Sequence, residues 1–424
     1  MRIGIDCRLW NESGVGRYVR NLVEQLQIID RENKYVLFVG RKDREEILNQ
    51  VQNDNFSIVS ADIRWHTLEE QLRFPAILNR ENLDLVHFPY FSVPIFYNKP
   101  YVVTIHDLIL HHFPTGLAST QPYYLYKLKL LGYKFVINKA AQNAEKIITV
   151  SNATRDEIID HLKIEPSKVV VMYEGVNDKI RNSKFEIRNK FQNTKYKILN
   201  TKYFLYVGNA YPHKNLERLL EAFSTFCHPE LVSGSHLKRD SDLRQNDIKL
   251  VLVGKEDYFY KRLKEKTKKL GLEKYVVFLG EVSDEELSDL YKNALALIMP
   301  SLMEGFGLPG LEAMANKCLV LSSDIPSLRE IYGNAAVYFN PVNVDDIRKK
   351  MEDVCFNDLN HFNSPFALSF PRKRESRFPI RSGMTKMRNM SHFNKQIGDG
   401  LERTKMFSWE KMARETLRVY ESCG

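Results

Sequence analysis

The feature that most narrows what this chain can become is a rhythm, played through twice, of short apolar runs separated by helical patterns. Residues 3–5 form an apolar run, residues 11–16 a polar turn containing Gly14 and Gly16, and then Val19, Leu22, Val23 and Leu26 recur on one helical face. Further runs at 35–39, 85–88, 101–105, 146–150 and 169–172 alternate with helical stretches. Short apolar runs of this kind, each followed by a helix, mark parallel strands covered by helices on both faces. The rhythm starts again at 203–207 and continues through 250–253, 276–279, 296–299, 318–322 and 336–339. Two doubly wound halves are expected, 1–185 and 195–405, with a polar joint inside 177–201 and a closing helix over 409–424. The 424 residues also suit two domains better than one, at ~150 residues per domain.

Two stretches break the rhythm. Residues 227–247 stand between an amphipathic helix and a strand, where ~2 to 6 residues normally suffice. Residues 364–390 are rich in Pro, Ser and Arg and are bracketed by the tripeptide His-Phe-Asn, at 361–363 and again at 392–394. Both read either as insertions, resembling translated repeat elements, or as ordinary long surface loops. The charge follows the second one: residues 364–398 hold eight Lys and Arg against the single Glu375, which is most of the net charge of +9. Outside these stretches basic and aromatic residues do not interleave, so nucleic acid is not an expected partner.

No run approaches the roughly 18 apolar residues of a spanning helix, and the opening MRIGIDCRLW lacks the zones of a signal peptide. A cytoplasmic protein is expected, either free or at the cytoplasmic face of the membrane. The five cysteines contain no C-x-x-C pair and suggest neither a disulfide framework nor a zinc site.

The densest chemistry lies in PSLMEGFGLPGLEA at residues 300–313. An apolar strand ends here, and a glycine-rich turn enters a helix near Pro309, because Pro suits a first helical turn and Gly admits close backbone approach. Backbone N–H groups then converge at the carboxyl end of a parallel strand, where open α/β sheets bind anionic or hydroxyl-rich ligands. Glu304 and Glu312, eight positions apart, are placed to accept hydrogen bonds from sugar or ribose hydroxyls. Alone, each reads as an ordinary carboxylate at a helix N-terminus.

This segment resembles the E-x7-E motif of the retaining glycosyltransferases of family 4. The resemblance continues through GID at 4–6 with GVGRY at 14–18, VTIHDL at 103–108, TVS at 149–151, YEGV at 173–176, and VGN at 207–209 with PHKN at 212–215. It covers most of the chain in the family's order and leaves out the two irregular stretches. It implies the GT-B fold, two facing Rossmann-like doubly wound domains around a deep interdomain cleft. It also implies roles. Glu304 touches the donor sugar and Glu312 the nucleotide ribose, while backbone amides of Gly305, Phe306, Gly307 and Leu308 hold sugar hydroxyls. Lys214 meets the donor diphosphate beside Gly208, Asn209 and His213, and His106 faces the transferred sugar. Gly14 and Gly16, with Arg17, bring backbone near the donor phosphate or the acceptor. Asn209 and His213 depart from the arginines of many relatives, so the diphosphate has fewer full charges around it.

The activity so implied is hexosyl transfer, with retention, from a nucleotide sugar (GDP-, UDP- or dTDP-linked) to a glycan or lipid-linked acceptor in cell-surface polysaccharide synthesis. The resemblance is strongest to bacterial mannosyl- and rhamnosyltransferases. No cofactor and no metal are expected, since His106 and Asp107 have no further cluster at ligand spacing. The alternative is a GT-B protein that binds sugar nucleotides and has lost the chemistry. The apolar and basic residues of 108–139 read either as a surface lying on the inner membrane or as helices facing their own core.

Overall fold

A computed structural model of the chain describes residues 1–114, 123–176, 180, 201–227, 248–358 and 381–424. The chain divides into two compact units. The first comprises Met1–Gly175, Glu304–Phe306 and Phe407–Gly424, and the second Val176–Met303 and Gly307–Met406. The division falls after Gly175.

Unit 1 is built on seven strands: β1 (Arg2–Asp6), β2 (Lys34–Val39), β3 (Phe56–Ser60), β4 (Leu85–Phe88), β5 (Tyr101–Thr104), β6 (Lys146–Thr149) and β7 (Val169–Val171). They are parallel throughout, in the order β3-β2-β1-β4-β5-β6-β7. The central strands are buried on both faces, which is why they read as unbroken apolar runs. β3 lies at the edge with four of its five residues only partly covered or exposed, and its Phe-Ser-Ile-Val-Ser sequence shows no such run. The helix Ser13–Ile29 buries Tyr18, Val19, Leu22, Val23 and Leu26 and packs on the closing helix Trp409–Cys423, whose inner side carries Met412, Thr416 and Tyr420. Side-chain caps fix helix starts at Thr67, Ser151 and Ser408.

Unit 2 repeats the plan with β8 (Tyr203–Val207), β9 (Lys249–Val253), β10 (Val276–Gly280), β11 (Ala296–Met299), β12 (Val320–Ser323) and β13 (Val337–Phe339). They are parallel in the order β10-β9-β8-β11-β12-β13. In both sheets the order reverses beside the first strand, between β1 and β4 and between β8 and β11, as in the Rossmann plan. Such a reversal leaves the loops at the strands' carboxyl ends diverging, and the gap between them admits a ligand.

Of the two irregular stretches, residues 228–247 and 364–380 lie outside the described residues, and 381–390 open the helix Arg381–Thr404. Among the described residues no helix is long and apolar enough to cross a membrane.

Candidate functional site

In unit 2 the loops leaving β8 and β11 carry most of the residues expected to hold a donor. They are tied together: the Leu302 N–H donates to the His213 carbonyl at 2.7 Å, and the buried Asn215 side chain donates to the carbonyls of Pro300 at 2.9 Å and Pro341 at 2.8 Å. Asn215 adopts a left-handed backbone at φ 60°, which its short polar side chain tolerates, and it ends the short turn Pro212–Lys214. His213 and Lys214, both half-buried, are therefore held on a braced turn. The preceding Gly208 and Asn209 are pinned through their carbonyls, which accept from Tyr260 Oη at 2.7 Å and Tyr206 Oη at 2.6 Å.

The glycine-rich turn after β11 has a steric cause. Gly307 sits at φ 93°, and a Cβ there would stand 2.5 Å from Tyr332 Oη and 2.6 Å from Leu328 Cδ2. The Tyr332 hydroxyl also donates to the Gly307 carbonyl at 2.6 Å, so the phenol is wedged under the start of the helix Leu308–Ala315. Glu312 lies within this helix, 2% exposed, and accepts from Tyr291 Oη at 3.1 Å. A ligand hydroxyl reaching it would meet a charged acceptor where little water competes, and such bonds are the strong ones.

Glu304 belongs instead to unit 1. Its neighbour Phe306 is buried against Tyr173 and Phe407, at ring-centroid distances of 6.2 and 5.7 Å. Gly305 lies so close to the His106 carbonyl that a Cβ would stand 2.1 Å from the oxygen. His106 itself follows β5. Its Nε2 is 3.0 Å from the Pro89 carbonyl, which only accepts, so Nε2 carries a proton. Its Nδ1 lies 3.4 Å from the buried Glu174 carboxylate, and Tyr18 meets the ring edge-on at 5.0 Å. Behind Tyr18 runs a buried chain of contacts: Tyr18 Oη to Thr104 Oγ1 at 3.3 Å, Thr104 Oγ1 to His87 Nε2 at 2.8 Å, and His87 Nδ1 to Tyr420 Oη at 2.6 Å. Burial, and then the proximity of His106, push the His87 pKa down to about 3, so His87 serves as a neutral strut.

The turn expected over 11–16 is shorter than the sequence suggests. The helix begins at Ser13, and the Gly16 N–H donates to the Glu12 carbonyl at 2.6 Å, so Gly14 and Gly16 stand in the first helical turn and not in a free loop. Gly16 is forced there by the Trp10 carbonyl, 2.3 Å from where its Cβ would be, while Gly14 faces open space. Among the described residues no group of three or more His, Cys, Asp or Glu is placed to hold a metal ion.

Two family models match this chain, "Glycosyltransferase Family 4" over residues 13–179 and "Glycosyl transferases group 1" over residues 187–362. The chain belongs to the glycosyltransferases. Among curated relatives, the O-antigen chain mannosyltransferase RfbU of Salmonella typhimurium is 27% identical over 69% of this glycosyltransferase and 71% of its own length. The O-antigen chain mannosyltransferase B of Escherichia coli is 26% identical over 96% of both. Two solved structures share the fold. Anabaena HepE in complex with UDP-glucose superposes with a TM-score of 0.69 at 14% identity over 100% of both chains, and the lipopolysaccharide glycosyltransferase WaaG with a TM-score of 0.66 at 13% identity over 99% of both. The glycosyltransferase therefore has the GT-B fold.

Within this framework unit 2 gathers Gly208, Asn209, His213, Lys214, Gly307, Leu308 and Glu312, and unit 1 gathers His106, Glu304, Gly305 and Phe306. Tyr291 and Tyr332, which brace these residues, carry no local sequence signal, because each acts on a partner distant in the chain, whereas Asn215 and Glu174 fall within the PHKN and YEGV segments.

Proposed function

We propose that this glycosyltransferase moves a hexose, mannose first among the candidates, from a nucleotide-sugar donor to a glycan or lipid-linked acceptor in cell-surface polysaccharide synthesis. The observation that carries the reading is the pair of braced loops at the reversal point of unit 2, locked by the Leu302–His213 hydrogen bond. The names of the two O-antigen mannosyltransferases supply the sugar and the setting. In this reading Lys214 stands over the donor diphosphate, where a fixed cation offsets the charge that grows on the leaving group. Glu304 holds a hydroxyl of the transferred sugar and Glu312 the ribose. The acceptor hydroxyl attacks on the face from which the diphosphate departs, the leaving phosphate takes its proton, and the anomeric configuration is kept without a divalent ion.

The test is incubation with GDP-mannose, UDP-glucose and dTDP-rhamnose, each with a mannosyl oligosaccharide acceptor and EDTA present. Transfer from one donor, GDP-mannose by preference, is expected. Absence of any nucleoside diphosphate release above a heat-inactivated control would overturn the reading.

A cytoplasmic transferase with a lipid-linked acceptor works at a membrane surface, and the helix Tyr123–Asn143 suits one. Leu128, Leu131 and Phe135, spaced three and four apart on one face, are 66%, 66% and 52% exposed, and the exposed lysines 127, 129 and 134 accompany them. An apolar stripe with basic flanks is the pattern of a helix lying on anionic lipid. The protein is expected to sediment with phosphatidylcholine vesicles only when phosphatidylglycerol is included, and Phe135→Glu to lose that binding. Equal recovery with both vesicles would sink the idea.

A further inference from the structure

Unit 1 has a reversal point of its own, between β1 and β4, and an aromatic surface covers it. The segment after the edge strand β3 does not stay at the edge. The buried Arg8, just past β1, donates to the Ile63 carbonyl at 3.2 Å. The Glu70 carboxylate accepts from the His66 N–H at 2.8 Å and from Ser92 Oγ at 2.7 Å. Ser92 lies in the loop after β4 and stands 3.2 Å from His66 Nδ1. The segment is thus drawn over the ends of β1 and β2 to the β4 loop, and His66 is fixed there in a left-handed backbone at φ 58°. A bulky residue in that conformation is costly and persists where the surroundings impose it.

The result is a cluster of rings. His66 stacks on the buried Phe91 at 5.1 Å between centroids, with Trp65 at 4.9 Å and Tyr90 at 5.7 Å around it. Trp65 and Tyr90 are half-exposed. Tyr90 directly follows Pro89, whose carbonyl accepts from His106 Nε2–H, so the cluster adjoins His106 within the same unit. We propose that Trp65, His66 and Tyr90 form the platform for the acceptor sugar, which lies with the C–H face of its pyranose on the rings. This rests on the reading above that the chain transfers a sugar.

The chemistry of the surface selects the ligand. Half-exposed aromatic faces offer apolar contact with a polar rim, which suits a pyranose with one C–H face and a ring of hydroxyls. His66 is exposed as a residue, yet its imidazole stands among rings and beside Arg8; desolvation first, then the Arg8 charge, push its pKa down to about 4. Ser92 Oγ gives its proton to Glu70 and accepts from His66 Nδ1, so the neutral ring offers a ligand its Nε2 as an acceptor near pH 7. The nearby guanidinium of Arg8 is engaged by Asp6 at 2.7 Å and Glu70 at 2.6 Å, so it does not serve as an anion site. A neutral sugar fits this surface, and a diphosphate does not.

Of the three tryptophans, Trp10 and Trp409 are buried, so Trp65 is the one positioned to report a ligand on the surface. Titration of a methyl mannotrioside into the full chain without donor should change the tryptophan fluorescence, and Trp65→Phe should abolish the response. In steady-state assays His66→Asn, which tolerates the left-handed backbone, and Tyr90→Leu should raise the acceptor KM about tenfold, while donor hydrolysis without acceptor stays unchanged. A wild-type acceptor KM in both variants, or a fluorescence response that survives in Trp65→Phe, would overturn the platform. Failure of the wild type to hydrolyse or transfer any nucleotide sugar would instead overturn the underlying function. The Trp65 titration still decides the platform in that event, since it requires no turnover.

Discussion

Glu304→Ala is expected to lower sugar transfer about 100-fold while leaving nucleoside diphosphate affinity within about twofold, because a hydrogen bond to a charged acceptor contributes ~1.5–3 kcal/mol and each 1.4 kcal/mol is a factor of ten. The separation follows from where the groups lie. Gly208, Asn209, His213, Lys214 and Glu312 all belong to unit 2, whose loops are braced by Asn215, Tyr206, Tyr260 and Tyr291. Glu304 belongs to unit 1, next to a glycine pressed on the His106 carbonyl. In the proposed reading, loss of its carboxylate removes an acceptor for the sugar and leaves the diphosphate seat intact. Initial rates and calorimetric titration with GDP measure the two quantities. Near-normal transfer by the variant would show that the glutamate has been given the wrong role.

The largest effect on stability is expected at Arg8. Its side chain is 2% exposed and bonded to Asp6 and to Glu70, whose own side chains are 10% and 0% exposed, and it lies 3.8 Å over the Phe74 ring. Burial by itself would lower the Arg8 pKa, but the two carboxylates outweigh it and hold the guanidinium charged well above its usual range. For Glu70, burial is the largest influence and raises its pKa, although Arg8 and Ser92 pull the other way. Arg8→Met leaves two buried carboxylates without their cation, a change that costs about 3–5 kcal/mol. The sign of the pH dependence follows. With Arg8 gone, Glu70 titrates higher still in the folded state than in the unfolded chain, so the fold binds the extra proton and the variant loses stability as pH rises through that pKa. Urea unfolding should show the deficit larger at pH 8 than at pH 5. A loss below about 1 kcal/mol at pH 8, the range of an exposed pair, would mean the network is not the anchor described.

The two sheets were legible in the sequence because their central strands are buried on both faces and so appear as continuous apolar runs, as in 35–39 and 296–299. β3 escaped because an edge strand mixes covered and open positions, and Ser57 and Ser60 interrupt the run. The turns after β8 and β11 were legible for a different reason: Gly, Pro, His, Lys and Glu at fixed short spacings report a turn whose geometry is local. What could not be read is whatever depends on long-range partners. Arg8 and Glu70 are 62 positions apart, and nothing local indicates that this pair draws residues 61–67 across the sheet. The inclusion of Glu304–Phe306 in unit 1 was likewise hidden, since the motif is continuous in sequence while the packing divides it after Phe306. The start of the first helix at Ser13 was obscured by Gly14 and Gly16, which weaken a helical signal that the Gly16–Glu12 hydrogen bond restores.

The measurement that bears most directly on the proposed chemistry is proton NMR of the glycosidic linkage formed from GDP-α-mannose and a mannosyl acceptor. The proposed front-side displacement predicts an α-linked product, with formation lost in Glu304→Ala. A β-linked product, or release of GDP with no glycoside at saturating acceptor, would contradict it.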